Sequence, residues 1–290
     1  MVVPHPGLGW LHEHPTGPAW LERLPGIIER CAEKWRLEIG EPFDYATSSL
    51  VLRATRADGT PAALKIAWPH REATYEADAL AAWNGDGSVL LLEHDREDWA
   101  FLLERCKPGT PLKDLPEDDA LDAFVDVAER LWRRAGAPFT TLEDEAAWWA
   151  EYLPRVWSLA PEPFERRLLD AATEALASLP GTQGELVLVH QDLHADNILR
   201  GTRQPWLAID PKPLLAEREF GIAAIVRGDE LGRGPERVRH RLDRLVSDLG
   251  LDRERARLWA FVQTLAWGLD EDENEVLWEH VEVARWILDA

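Results

Sequence analysis

The sequence predicts an α+β chain of two unequal lobes: a small antiparallel sheet with one helix against it, then a larger, mainly helical part. Three observations carry this. Strand-like runs crowd into the first hundred residues, as "SSLVLRATRADGTPAALKIAW" around Asp58-Gly59 and as "SVLLLEHDREDWAFLLER". Helical spacing of apolar residues dominates after "CKPGTPL". The length, 290 residues, is long for one core. The shift in composition near Cys106–Gly109 puts the lobes at residues 1–104 and 105–290.

Taken in order, residues 1–17 are rich in Pro, Gly and His and read as an irregular arm. His5, His12 and His14 lie there without the spacing of a metal-binding helix. From Trp20 the apolar positions Leu21, Leu24, Ile27, Ile28, Cys31 and Trp35 mark an amphipathic helix. A hairpin, the helix "REATYEADALAAW" and a second hairpin complete the first lobe. In the second, Leu121, Phe124, Val125, Ala128, Leu131 and Trp132 mark one helix face. "TLEDEAAWWAEYLPRVW" is a further helix, with Trp148 and Trp149 read as core. Leu168, Leu169, Ala172 and Leu176 mark the next, ended by Pro180-Gly181. Short strands are expected at Leu186–Val189 and Trp206–Ile209, side by side, and helices from about Glu236, Asp252 and Val276.

Composition narrows the function. Asp plus Glu number 53 against 32 Lys plus Arg, a net charge of −21. Such a surface repels phosphate backbones and favours cationic small molecules, so nucleic acid is not expected as a partner. Two distant cysteines, Cys31 and Cys106, argue against a disulfide framework and for a reducing cytoplasm. No apolar run reaches membrane-spanning length, and "MVVPHPGLGWLHEHP" does not read as a secretory signal. No obligate protein partner is indicated.

The chemistry concentrates in "LVLVHQDLHADNILR". His190, Asp192 and Asn197 have the spacing H-x-D-x-x-x-x-N of a protein-kinase catalytic loop. There the Asp accepts a hydrogen bond or proton from the attacking hydroxyl, and the Asn turns back to ligate Mg²⁺. "WLAID" follows and ends in Asp210, a second hard ligand for Mg²⁺. Upstream, Lys65 stands inside the apolar strand "AALKIAW", where an unpaired ammonium would be costly. Glu72 and Glu76 on the next helix are its candidate partners. Glu76, which leads the apolar run, is the better placed. No P-loop, dinucleotide fingerprint or G-x-S-x-G elbow is present.

In this order, "LKI", a Glu helix, "LLERCKPGTPL", "HQDLHADNILR", "PWLAIDPKPL", "EREFGIAAIVR" and "LDRERARLWAFVQTLAW" resemble the aminoglycoside phosphotransferase family. The likeness is strongest to its streptomycin and hydroxyurea phosphotransferase branch and runs from about Ala19 to Trp286. It implies a bilobal protein-kinase-like fold and ATP and Mg²⁺ as cofactors. It also implies Asp192 as catalytic base, Asn197 and Asp210 as metal ligands, Lys65 on the phosphates and Glu76 fixing Lys65. Glu104 to Cys106 would form the hinge that touches adenine through backbone groups.

The sequence departs from that pattern in two places. The phosphate loop lacks glycines and offers Ala46, Thr47, Ser48 and Ser49 instead, with hydroxyls and backbone N–H groups as donors. Where relatives often carry an Asp after the metal aspartate, this chain has "FGIAA" with Gly221. Lys212, in "IDPK", is within reach of a phosphate. The expected reaction is transfer of the γ-phosphoryl group to a hydroxyl of a streptomycin-like aminoglycoside, in antibiotic inactivation or secondary metabolism. A kinase for a neutral sugar or amino sugar metabolite and a nucleotide-binding pseudokinase remain open. Candidate acceptor contacts are Asp196, Glu217, Glu219 and the acidic run from Asp270 to Glu273.

Overall fold

The first described segment is a short 3₁₀ helix, Pro6–His12, in a computed structural model that describes residues 6–43, 48–161, 163–270 and 275–290. The arm is therefore not irregular over this stretch. Leu8 and Leu11 are fully buried against the first helix and the sheet, and that burial overrides the Pro and Gly content. His14 packs edge-on against Trp68, and its Nδ1 accepts from the Thr16 N–H. His5 lies outside the described residues.

Helix α1 (Gly17–Trp35) follows, then strands β1 (Leu37–Pro42), β2 (Ser49–Arg56) and β3 (Pro61–Ala67). Helix α2 (Glu76–Trp83) separates these from β4 (Leu91–Asp95) and β5 (Ala100–Glu104). The five strands form one antiparallel sheet in the order β1-β2-β3-β5-β4. Alternation along β3 divides its two faces. Ala62, Leu64 and Ile66 face α1, while Ala63 and Ala67 join the main core with α2. Lys65 falls on the α2 side by the same alternation.

The rest of the chain is mainly helical: α3 (Glu117–Leu131), α4 (Leu142–Leu159) and α5 (Arg166–Ser178). Thr141 caps α4 in a capping box with Asp144. Of the tryptophan pair, Trp149 is in the core, but Trp148 is 38% exposed and lies under Arg71. A helix turns its faces by about 100° per residue, so neighbours rarely share one burial.

Four short strands then come in quick succession: β6 (Val187–Val189), β7 (Ile198–Arg200), β8 (Trp206–Ala208) and β9 (Leu214–Ala216). Their pairing corrects the expected ribbon. β6 pairs with β9, and β8 pairs with β7. The chain turns tightly through Gly201–Pro205, where the Gly201 N–H bonds the Pro205 carbonyl, so β8 folds back on its nearest neighbour. Helices α6 (Ala223–Arg227), α7 (Pro235–Leu249) and α8 (Arg253–Ala266) follow. The two-residue strands β10 (Leu269–Asp270) and β11 (Glu275–Val276) and helix α9 (Trp278–Leu288) close the chain. No helix among the described residues is long and apolar enough to cross a membrane.

The two lobes meet through specific contacts. Gly87 and Val89 exchange backbone hydrogen bonds with Ala208 of β8. Arg71, just ahead of α2, binds both carboxylate oxygens of the buried Glu145 on α4. Each contact crosses from the sheet lobe to the helical lobe.

Candidate active site

Asp192 stands three residues beyond β6, Asn197 one residue before β7, and Asp210 two residues after β8. Because Ile198 pairs with Ala208, Asn197 and Asp210 emerge at the same end of the hairpin. The Ile209 N–H continues the ladder to the Asn197 carbonyl at 2.9 Å. Two non-glycine residues here have left-handed backbone, Gln191 at φ 63° and Asp210 at φ 56°. Such conformations cost of order 1–3 kcal/mol each and persist where surroundings enforce them. The enforcement is visible. The Lys212 N–H bonds the His190 carbonyl at 3.0 Å, and the Gln263 amide donates to the Gln191 carbonyl at 3.1 Å.

His190 shapes this loop. Its Nε2–H donates to the Ile209 carbonyl at 2.8 Å, and its ring stacks on Trp83. Burial pushes its pKa down to about 4, so the imidazole stays neutral and joins the two strand ends as a hydrogen-bond donor.

Lys65 bridges the lobes. Its Nζ is 2.7 Å from each oxygen of Glu76 and 2.5 Å from Asp210 Oδ1. Burial opposes charge on Lys65, but Asp210 and Glu76 hold the ammonium above its usual range. Burial and the nearby Asp210 push the Glu76 carboxyl upward, against the pull of Lys65. The two directions oppose each other on this pair, and the symmetric 2.7 Å contact decides for the ionised form. Crowding also disfavours charge on Asp210, yet Lys65 and then Lys212 keep it well below the usual carboxylate range. Its side chain is 44% exposed. Asp210 Oδ2 has no hydrogen-bond partner among the described residues.

Asn197 donates from Nδ2 to the Asp192 carbonyl at 2.9 Å. That bond fixes the amide and leaves Oδ1 as a free oxygen donor. An amide oxygen and a carboxylate oxygen at one hairpin end suit a hard cation such as Mg²⁺.

Asp192 is buried among cations. Its Oδ1 accepts from Arg227 at 3.0 Å, and Lys212 Nζ lies 3.3 Å from Oδ2. Burial would raise its carboxyl, but Lys212 and Arg227 hold it below the ordinary range. Lys212 also reaches Glu72 at 3.4 Å and lies over the Trp267 ring at 4.6 Å. Arg227 has no place in the sequence reading of this site, and Glu72, a candidate partner of Lys65, stands in a turn ahead of α2 and meets Lys212 instead. Arg227 ends a five-residue helix with no motif spacing of its own.

Beside Asp192 a cleft of about 250 Å³ opens, lined by His194, Arg227, Asp229, Glu230, Glu279 and His280 among others. His194 Nδ1 and Glu230 Oε1 are 2.5 Å apart. Burial opposes charge on both, but their contact raises the imidazole and lowers the carboxyl. Glu230 Oε2 is buried without a hydrogen-bond partner among the described residues. Arg241, itself buried, binds the carbonyls of Val226, Gly228 and Gly232 and so fixes the loop that carries Glu230.

The remaining candidates divide. Ser49 is buried as the first residue of β2, opposite Ala67, and the Ser48 carbonyl accepts from the Trp68 N–H. Ala46 and Thr47 lie outside the described residues. Glu104 ends β5 with its carboxylate held by Arg203 at 2.8 Å and by the Leu90 N–H. Cys106 follows in the connection between lobes, and burial pushes its thiol up to about 12. Asp196 pairs with Lys113 at 2.7 Å and lies close to His194 and Glu230.

Glu217 is a correction. It is 2% exposed and committed to Arg255, the Trp259 indole N–H and the Gly184 N–H, so it is an internal counter-ion with no face left for an acceptor. Glu219 accepts from the Asp252 N–H at the start of α8 and does not line the cleft. Asp270 pairs through its backbone with Glu275, while its side chain and residues 271–274 lie outside what is described.

The departure at Gly221 has a steric reason. A Cβ there would stand 2.7 Å from the Trp132 indole, so Trp132 fills the space a side chain would need. Gly221→Ala is expected to destabilise the fold by about 1–3 kcal/mol through overpacking. Urea unfolding checks this, and an unchanged midpoint would mean that Trp132 yields freely.

Residues 34–273 match the family model described as aminoglycoside/hydroxyurea antibiotic resistance kinase. A hydroxyurea phosphotransferase of Kitasatospora aureofaciens is 39% identical over 281 residues, 94% of this chain and 81% of that protein. A streptomycin 6-kinase of Streptomyces griseus is 34% identical over 279 residues, 93% and 91% of the two chains. Among solved structures, a complex of aminoglycoside phosphotransferase APH(4)-Ia with ADP and hygromycin B superposes with a TM-score of 0.66. It covers 90% of this chain and 98% of that one at 12% identity, which speaks for the fold alone.

Proposed function

Because the chain belongs to the aminoglycoside/hydroxyurea antibiotic resistance kinase family, we propose that it transfers the γ-phosphoryl group of ATP to a hydroxyl of a streptomycin-like aminoglycoside. The observation that carries this reading is the convergence of Lys65, Asp210, Asn197 and Asp192 at adjoining strand ends. Neither a pseudokinase nor a neutral-sugar kinase has a comparable observation in its favour.

In this reading Asn197 Oδ1 and Asp210 Oδ2 hold Mg²⁺, which when bound offsets phosphate charge. Lys65, steered by Glu76, contacts the nucleotide phosphates. Residues from Ser48 to Ser49 and the backbone from Glu104 to Cys106 flank the nucleotide, and the lobes divide at 104/105. Asp192 accepts the acceptor's hydroxyl proton as the new P–O bond forms and the bond to ADP breaks. Little covalent work falls to the protein; positioning and charge do most of it.

The cleft beside Asp192 takes the acceptor. Arg227 is already committed to Asp192 and Arg233 to Glu282. Asp229 and Glu279, the latter 4.0 Å from Arg233, line the cleft as carboxylates that can meet amino or guanidino groups, with Asp196 nearby. The experiment is ADP release with Mg-ATP and a panel of streptomycin, other aminoglycosides, hydroxyurea and neutral sugars, at low and high salt. Streptomycin should support turnover. Raising salt from about 0.05 to 0.5 M should raise its KM and leave kcat nearly constant, because screening weakens encounter with a chain of net charge −21. Turnover only with neutral sugars would overturn the acceptor assignment.

A further inference from the structure

Arg227 ends α6 with its side chain 11% exposed, and both terminal nitrogens and one face of its guanidinium are occupied. Nη2 donates to Asp192 Oδ1 at 3.0 Å, and Nη1 donates to Gln263 Oε1 at 2.6 Å. Its guanidinium carbon lies over the Trp267 ring, 4.2 Å from the ring centre. Gln263, fully buried on α8, uses its amide nitrogen on the carbonyl of Gln191 at 3.1 Å. One continuous chain of contacts thus runs from α8 through Arg227 to the Asp192 carboxylate. It also reaches the left-handed residue immediately before Asp192.

We infer that Arg227 is a positioning residue that commits Oδ1 of Asp192 and so presents Oδ2 to the acceptor hydroxyl. This rests on the kinase reading above. Charge alone does not account for the arrangement. Lys212 already places an ammonium 3.3 Å from Oδ2 and shares the Trp267 ring, so Asp192 has a counter-ion without Arg227. What Lys212 cannot supply is a planar fork that holds a carboxylate, an amide oxygen and an aromatic face at once. Carboxylate rotation about the last side-chain bond is broad when nothing fixes it. A base whose working oxygen wanders loses rate, because misplacement by about 1 Å costs on the order of 10²-fold.

The test uses the full-length protein and whichever panel aminoglycoside it phosphorylates, with Arg227→Lys, Arg227→Met and Arg227→Ala. The expected result is a kcat lower by on the order of 10²-fold in all three, with the KM for ATP little changed. Lysine should recover little, since it keeps charge and loses the fork. Millimolar guanidinium should restore part of the kcat of Arg227→Ala, because Arg227 borders the open cleft. A merely structural role would lower thermal stability and nucleotide binding together, with no rescue, and would overturn the inference. So would an Arg227→Lys enzyme at the wild-type rate, which would reduce Arg227 to a counter-ion while the kinase reading stands. A wild type that phosphorylates nothing in the panel overturns both.

Discussion

Replacing Asp192 by Asn is expected to lower phosphoryl transfer by roughly 10²- to 10⁴-fold, the usual contribution of a positioned general base. The substitution keeps size and the ability to accept at Oδ1, so the contact from Arg227 at 3.0 Å can persist. It removes the second anionic oxygen, the one beside Lys212. Nucleotide binding should survive, since Lys65, Glu76 and Asp210 are linked to one another and not through the Asp192 side chain. Rapid-quench transfer alongside calorimetry of Mg-ATP binding separates the two effects. Transfer near the wild-type rate would make Asp192 a loop-shaping residue, and the mechanism would have to move elsewhere.

Asp210→Ala is expected to abolish productive Mg-ATP binding. Loss of even an outer partner of a metal ligand typically costs 10- to 100-fold in metal affinity, so loss of the ligand should cost at least about that. Asn197 would be left as the sole ligand at the hairpin end, a neutral one. Lys65 would keep Glu76 at 2.7 Å, so the sheet lobe should remain folded. Titration with Mg-ATP and with ATP in chelator distinguishes metal from nucleotide. An unchanged affinity for Mg-ATP would place the cation on other residues.

Much of this was legible in the sequence, for identifiable reasons. Lys65 announced itself because a lysine inside "AALKIAW" needs a partner, and Glu76 supplied one at helical reach. The H-x-D-x-x-x-x-N spacing after a strand pointed to one loop for Asp192 and Asn197, and the Asn197 amide turns back to the Asp192 carbonyl at 2.9 Å. Strand pairing was less legible. β6 and β8 are each three residues long, and nothing in either run says which neighbour it takes. β1, "LEIGEP", went unread because Gly40 and Pro42 break the strand pattern while pairing with β2 still holds it.

The partners of buried charges were the least legible. Glu217 and Glu230 look alike in sequence, two acids in a charged stretch. The fold gives one to Arg255 and Trp259 inside the protein and turns the other to the cleft. Arg227 meets Asp192 across 35 residues, and no spacing rule reaches that far.

The most direct test of the account is mass spectrometry of streptomycin after incubation with Mg-ATP and the purified protein, with the Asp192→Asn variant in parallel. The mass of one added phosphate is expected with the wild type and almost none with the variant. Unmodified streptomycin from both proteins would contradict it, as would equal phosphorylation by both.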